Sequence, residues 1–239
     1  MLKTILFDLD GTLLPMDLSS FLTSYFNGLA RICSHIAEPP VLHKHIMAAT
    51  AAMIRDTRPH KTNQEVFLED FTPRFNLPAE ELMALFDNYY QGDFKNLIHC
   101  TAPTPLARQI CLHLLDKGYR LVLATNPIFP RVATAQRMQW AGIADLPWAL
   151  VTTYEHCHYC KPNPEYYREV LEKVGARPSE TLMVGNDTRE DLAAAKLGIK
   201  TYLVTDYLID HGDPDYRADF TGRLEDFMEF AKKLPPATS

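Results

Sequence analysis

The sequence predicts an α/β protein, a doubly wound, Rossmann-like parallel sheet carrying an inserted all-helical cap. Three observations predict it. Leu2 to Phe7 is apolar on both faces, the pattern of a strand in the middle of a parallel sheet. From about Met16 to Asp93 no second strand signal follows, only helical patterns punctuated by prolines. After Asp93, strand and helix alternate, which implies right-handed crossovers and helices on both faces of the sheet.

Each element has its own signal. In the insertion, helical patterns run over 17–36, 41–54, 62–71 and 78–90, with Pro39-Pro40 and Arg58-Pro59 as breaks. The Ala-rich stretch Ala48 to Met53 is expected to pack helix on helix without needing to line a pocket. Pro105 to Lys117 places Leu106, Ile110 and Leu114 on one helical face and stops at Gly118. RLVLAT (residues 120–125) reads as a buried strand. Helical stretches follow over 131–141 and 164–174, stopped by Gly142 and Gly175, with a short strand over 148–152 between them. A strand over 182–184, a helix over 190–197 ending at Gly198 and a last strand over 201–204 continue the alternation. Asp206 to Asp219 is polar and irregular, its DHGDPD run (residues 210–215) reading as a surface loop, and an amphipathic helix over 224–231 follows. The expected division is a core from 1–15 and 94–239 and a cap over 16–93.

Composition narrows the function classes. The chain has 239 residues, 46% hydrophobic and 23% charged, with a formal net charge of −6, so a nucleic-acid backbone or an anionic membrane is not the expected partner. Asp8 and Asp10 interrupt the N-terminal apolar run too early for a secretory core, and no apolar stretch is long enough for a membrane span. Cys33, Cys100, Cys111, Cys157 and Cys160 are odd in number and scattered, as expected of reduced thiols in a cytoplasm.

In an open parallel sheet, ligands bind beyond the carboxyl ends of the strands. The residues at those positions are Asp8 and Asp10, Thr125 and Asn126, Thr152 and Thr153, and Gly185-Asn186-Asp187. Asp8 and Asp10, two apart on extended chain, point to the same side. Two such carboxylates repel, and both stay ionised only if a cation joins them. With Asp187 as a third acid and no soft ligand, the set suits a hard, oxygen-coordinated ion, and Mg²⁺ is the usual companion of phosphate substrates.

FDLDGTLL (residues 7–14) resembles the first motif of the haloacid dehalogenase-like hydrolase superfamily, and three further motifs follow in the family's order. Thr125 in LVLATN matches the second, Lys161 in KPNPEYY the third, and Asp187 with Asp191 in MVGNDTREDLAAAKLGI the fourth. The resemblance implies a Mg²⁺-dependent phosphatase acting on a small phosphorylated metabolite. It makes Asp8 the nucleophile that becomes an aspartyl-phosphate, and Asp10 the acid and then base. It gives Thr125 and the backbone N–H of Asn126 a phosphoryl oxygen, and makes Lys161 the neutralising cation. It also implies Mg²⁺ held by Asp8, the Asp10 carbonyl and Asp187. The acid role asks Asp10 for a raised pKa, for which crowding by Asp8 supplies a reason.

The fourth motif departs from the common Gly-Asp pattern. Counted from the glycine, Asn186 takes the metal position; counted from Asp191, Asp187 does. A carboxylate is the better ligand, which favours Asp187 and leaves Asp191 an outer partner or a helix cap. The resemblance also admits a phosphomutase, which shares every core residue, and a phosphonate hydrolase, which needs a cap lysine such as Lys44 or Lys61. A dehalogenase needs neither Asp10 nor Asp187. A non-catalytic phosphometabolite-binding or regulatory protein is the reading from another class. Cys157-x-x-Cys160 with His156 and His158 suggests zinc or redox chemistry, but no second ligand pair follows, and a loop leading to Lys161 is preferred. Arg55, Arg58 and Lys61 read as a solvated face. By resemblance the cap closes over the site through linkers near Pro15 and Asp93-Phe94. Substrate and oligomeric state stay open.

Overall fold

The computed structural model describes residues 1–212 and 217–237. Six strands form one sheet: β1 (Thr4–Phe7), β2 (Arg120–Leu123), β3 (Leu150–Val151), β4 (Thr181–Gly185), β5 (Lys200–Val204) and β6 (Phe220–Gly222). All pairings are parallel, in the order β3-β2-β1-β4-β5-β6. The chain therefore builds outward from β1 on one side, then returns and builds outward on the other. The reversal leaves a crevice beyond the ends of β1 and β4, the place where such sheets bind ligands. Register puts Phe7 beside both Leu123 and Val184, so the residues after these three strands share one edge.

The two-faced apolarity of β1 has a direct cause. Ile5 and Phe7 point to one face and pack with Ile110 and Leu114 of α5 (Pro105–Asp116) and Phe227 of α8 (Leu224–Lys233). Leu6 points to the other and packs with Tyr166 and Val170 of α7 (Pro164–Val174). All three strand residues are fully buried. Helix ends follow their local chemistry. Asn163 accepts from the Glu165 N–H at 3.0 Å, Pro164 opens α7, and Gly175 closes it at φ 61°.

Between β1 and β2 lie α1 (Leu18–Ile32), α2 (Pro39–Arg55), α3 (Asn63–Phe71), α4 (Ala79–Gln91) and a 3₁₀ segment, Asp93–Cys100. Phe94 in that segment is fully buried among the rings of Phe21, Tyr25, Tyr89 and Tyr90. The connections to the sheet run side by side: Met16 bridges Thr101, and the Ala102 N–H donates to the Pro15 carbonyl at 2.8 Å. A third tie comes from Asn63, fully buried, whose Nδ2 reaches the Pro127 and Tyr159 carbonyls at 3.2 Å each. Its backbone N–H reaches the Cys157 carbonyl at 2.7 Å. The insertion is thus hydrogen-bonded onto the sheet's loops as well as tethered to them.

Three features differ from the sequence expectation. Strand β6 follows directly on the stretch over 206–219 that reads as polar and irregular, where no strand is expected; three residues are too few to show a period. The helix expected over 190–197 is a 3₁₀ segment, Leu192–Leu197, because Asp187 Oδ1 takes the N–H groups of Arg189 and Glu190 and makes a tight turn there. In the Ala-rich stretch, Ala49 and Met53 are buried, yet Thr50 between them lines a cavity. Residues 213–215 of the DHGDPD loop lie outside the described residues. No helix among the described residues is long and apolar enough to cross a membrane.

Candidate active site

Asp8 continues β1 by one residue, its N–H donating to the Val184 carbonyl at 2.9 Å, and so stands at the crevice. Lys161, fully buried, reaches across from the loop before α7. Its Nζ donates to Asp8 Oδ1 at 2.9 Å and to Asp191 Oδ1 at 2.6 Å. Burial pulls the Lys161 pKa down, but Asp191 and Asp8 outweigh it and hold the ammonium well above the ordinary lysine value. The other oxygen of Asp191 accepts the Asp187 N–H at 2.9 Å. Asp191 thus clamps the lysine to the β4 turn, and it makes no side-chain cap to the segment that follows. Gly185 is what lets it approach: a Cβ there would lie 2.1 Å from Asp191 Oδ2. Gly185→Ala is therefore expected to cost about 1–3 kcal/mol through the forced displacement of Asp191, read as a lowered Tm. An unchanged Tm would show that the turn gives way freely.

Asp10 has a different partner. Arg137 of α6 (Arg131–Trp140), itself fully buried, pairs with Asp10 Oδ2. The guanidinium is further held by the Ala133 carbonyl at 3.3 Å and the Thr134 hydroxyl at 3.2 Å, and lies 4.6 Å from the centre of the Phe129 ring. Asp10 Oδ1 is buried without a hydrogen-bond partner among the described residues. Burial raises the Asp10 pKa, with Arg137 and Lys161 opposing. The direction is the expected one, but burial rather than crowding by Asp8 produces it. Crowding acts on Asp8, whose pKa is pushed up to about 7 by burial, with Lys161 lowering it and Asp191 and Asp10 raising it. Sequence reasoning missed Arg137. An arginine on the face of α6 that also carries Ala133, Thr134 and Met138 is the signal that was there to read.

Thr125 follows β2, nearly fully buried, and its carbonyl is fixed by the Thr152 hydroxyl at 2.7 Å and the Tyr166 hydroxyl at 2.9 Å. The Asn126 side chain braces the lysine loop, Oδ1 accepting the Lys161 N–H at 3.2 Å and Nδ2 donating to Glu190 at 2.9 Å. Glu190, another residue not singled out in the sequence, is pushed up to about 8 by burial, with Lys161 opposing. Both members of the fourth-motif pair are hydrogen-bonded. Asn186 is committed, accepting from the Thr12 hydroxyl at 3.1 Å and donating to the Tyr207 carbonyl at 2.6 Å. It also packs on Gly11, whose φ of +84° makes the turn after Asp10. Asp187 accepts two backbone N–H groups on Oδ1 and meets His211 Nε2 at 2.9 Å on Oδ2.

Asp8, Asp10, Asp187, Glu190 and Asp191 line one cavity of about 180 Å³ with Thr125 and Asn126, and Lys161 and Arg137 are the Lys and Arg side chains paired with them among the described residues. Excess negative charge at a buried oxygen-rich site is what a hard divalent cation neutralises. Among the described residues, no three His, Cys, Asp or Glu side chains converge as a metal cluster. Mg²⁺ does not need one, because it takes one or two carboxylates and keeps several waters. Asp8 and Asp187 with the Asp10 carbonyl, which receives no backbone N–H among the described residues, are a donor set that fits it.

The other sequence motifs lie elsewhere. Burial pushes the Cys157 thiol up to about 12 and the Cys160 thiol well above its ordinary value, which disfavours thiolate chemistry. Their loop receives α3 instead, through Cys157 and Tyr159. Arg58 and Lys61 pair with Glu69, and Arg58 with Asp56, at the surface.

A parallel sheet in this order, with acids crowded at its switch point and helices inserted after its first strand, has the architecture of a Rossmann-like hydrolase. The model of the haloacid dehalogenase-like hydrolase family matches residues 2–209, and the chain belongs to that family. It is 32% identical over 160 residues to a phosphoglycolate phosphatase of Vibrio vulnificus, covering 63% of this chain and 67% of that one. A glyceraldehyde 3-phosphate phosphatase of Methanothermobacter thermautotrophicus is 27% identical over 221 residues, covering 87% and 88%. The fold matches the crystal structure of a HAD phosphatase from Thermococcus onnurineus with a TM-score of 0.57 at 22% identity, over 96% and 97% of the chains.

Proposed function

We propose that this protein is a Mg²⁺-dependent phosphatase that hydrolyses a small phosphomonoester through an aspartyl-phosphate on Asp8. One observation carries the reading: both acids pair with a buried cation, but only Asp10 keeps a buried oxygen without a partner. Lys161 opposes the burial that raises the Asp8 pKa and so helps its nucleophilic anion, while Asp10, held by Arg137 on Oδ2, leaves Oδ1 where a proton can ride. The named relatives, both phosphatases, support the same class.

Asp8 attacks phosphorus and the bond to the ester oxygen breaks. Asp10 Oδ1 delivers its proton to that oxygen, and Arg137 on Oδ2 fixes which oxygen carries it. Water then attacks the aspartyl-phosphate, giving its proton to Asp10 and releasing phosphate and Asp8. Lys161 offsets charge on Asp8 and the phosphoryl group, and the Thr125 hydroxyl and the Asn126 N–H hold a phosphoryl oxygen. Bound through Asp8, Asp187 and the Asp10 carbonyl, Mg²⁺ would screen the anionic nucleophile from the anionic substrate. In this reading the helical insertion acts as the cap, and because Asp93–Cys100 packs as a 3₁₀ segment among its rings we take the return linker beyond it, where Ala102 meets Pro15, and not at the expected Asp93-Phe94. The five free cysteines suit a reducing cytoplasm.

Purified protein given a generic aryl phosphate should turn it over with Mg²⁺ and stop on adding a chelator. Turnover undiminished by the chelator would overturn the metal assignment. A bisphosphate requirement for activity would instead favour a mutase.

A further inference from the structure

The acid-lined cavity does not end at the acids. Leu22, Ile128 and Phe129 line it, and the same three residues line a second cavity of about 220 Å³ between the insertion and the loop after β2. This second space is walled by Phe26, Ile46, Phe86 and other apolar or aromatic side chains, and among the described residues no Asp, Glu, Lys, Arg or His lines it. Its tyrosine hydroxyls are partly spent on one another, with Tyr25 and Tyr90 2.7 Å apart. Three cations on neighbouring elements are already engaged: Arg137 lies under Phe129 but is paired with Asp10, and Lys61 and Arg58 are paired with Glu69.

The two cavities adjoin across Leu22, Ile128 and Phe129, so the rest of an ester whose phosphoryl group sits at Asp8 would be directed either to solvent or past these three side chains. A carboxylate or second phosphate taken inward would be desolvated with no counter-charge, a large cost. An apolar group would instead leave water for a wall of aromatic and aliphatic carbon, a gain that grows with its area. The size is informative too, since a cavity of roughly 150 Å³ lined by Leu, Ile and Phe takes up benzene.

We propose that the site selects phosphomonoesters whose alcohol part is an uncharged apolar group of about one aromatic ring, seated in this second cavity. The proposal rests on the phosphatase reading for the phosphoryl end and adds the identity of the other end. It separates this chain from the substrates named for the two relatives, both small and polar.

The test compares benzyl phosphate with 2-phosphoglycolate and glycerol 3-phosphate on the intact protein with Mg²⁺. All three are alkyl esters, so intrinsic leaving-group reactivity does not decide the ranking as it would for a phenol. Benzyl phosphate should have the highest kcat/KM, by on the order of 10-fold or more. Thr50→Trp, which fills the cavity from α2, should shrink that ratio through a raised KM for benzyl phosphate. Equal or better turnover of phosphoglycolate or glycerol phosphate overturns the proposal and leaves the phosphatase reading standing. If no ester is hydrolysed, the phosphatase reading fails, and calorimetry with benzylphosphonate against phosphonoacetate decides the proposal alone. Tighter binding of benzylphosphonate supports it, and equal or weaker binding overturns it.

Discussion

Asp8→Asn should remove at least about 1000-fold of kcat on any phosphomonoester while leaving the protein folded. The amide is nearly isosteric with the carboxylate and can still accept from Lys161, which keeps Asp191 as its counter-ion at 2.6 Å. What is lost is the anion that attacks phosphorus. Stability should not fall, because the substitution removes one of five acids facing two cations in a buried cavity. A second readout separates a lost nucleophile from a disturbed site. After rapid acid quench with substrate, the wild-type chain should carry a phosphoryl adduct and the variant none. Full turnover in Asp8→Asn would sink the proposed mechanism, and an adduct persisting in the variant would move the nucleophile elsewhere.

The parts of the molecule that were legible in sequence are those fixed by local pattern. Strand β1 could be read because both its faces are buried, and α7 because Asn163, Pro164 and Gly175 mark its ends. The acids could be read because a strand end in a parallel sheet has a known place, so a list of strand ends is already a list of neighbours. What could not be read depends on partners distant in the chain. Arg137 meets Asp10 across 127 positions, and nothing local says that an arginine in a helix will be fully buried. Glu190 and the Asn126 side chain brace Lys161 only once three loops converge. The cavity from Leu22 to Phe129 is a product of helix packing. The apolar residues of α2 carry no sign of which ones will touch a neighbour and which an empty space.

Arg137→Met should lower stability by about 3 kcal/mol, the low end for breaking a buried ion pair, since Asp10 keeps some access to water. For a chain of this size that corresponds to a Tm drop of roughly 6–12 °C. A purely structural arginine would do no more than this, and kcat measured well below the new Tm would be unchanged. If Arg137 instead positions Asp10 so that Oδ1 carries the proton, kcat must fall in a particular way. Esters of poor leaving groups, which depend on protonation, should lose on the order of 100-fold, while a nitrophenyl ester, whose oxygen leaves without a proton, should lose far less. Asp10→Asn should show the same dependence on leaving group. The double variant should then be little worse than Asp10→Asn alone, because a residue that acts through another has nothing left to position. Equal losses on good and poor leaving groups would instead mean that Arg137 supports the phosphoryl end of the site, and the assignment of Oδ1 would fall with it.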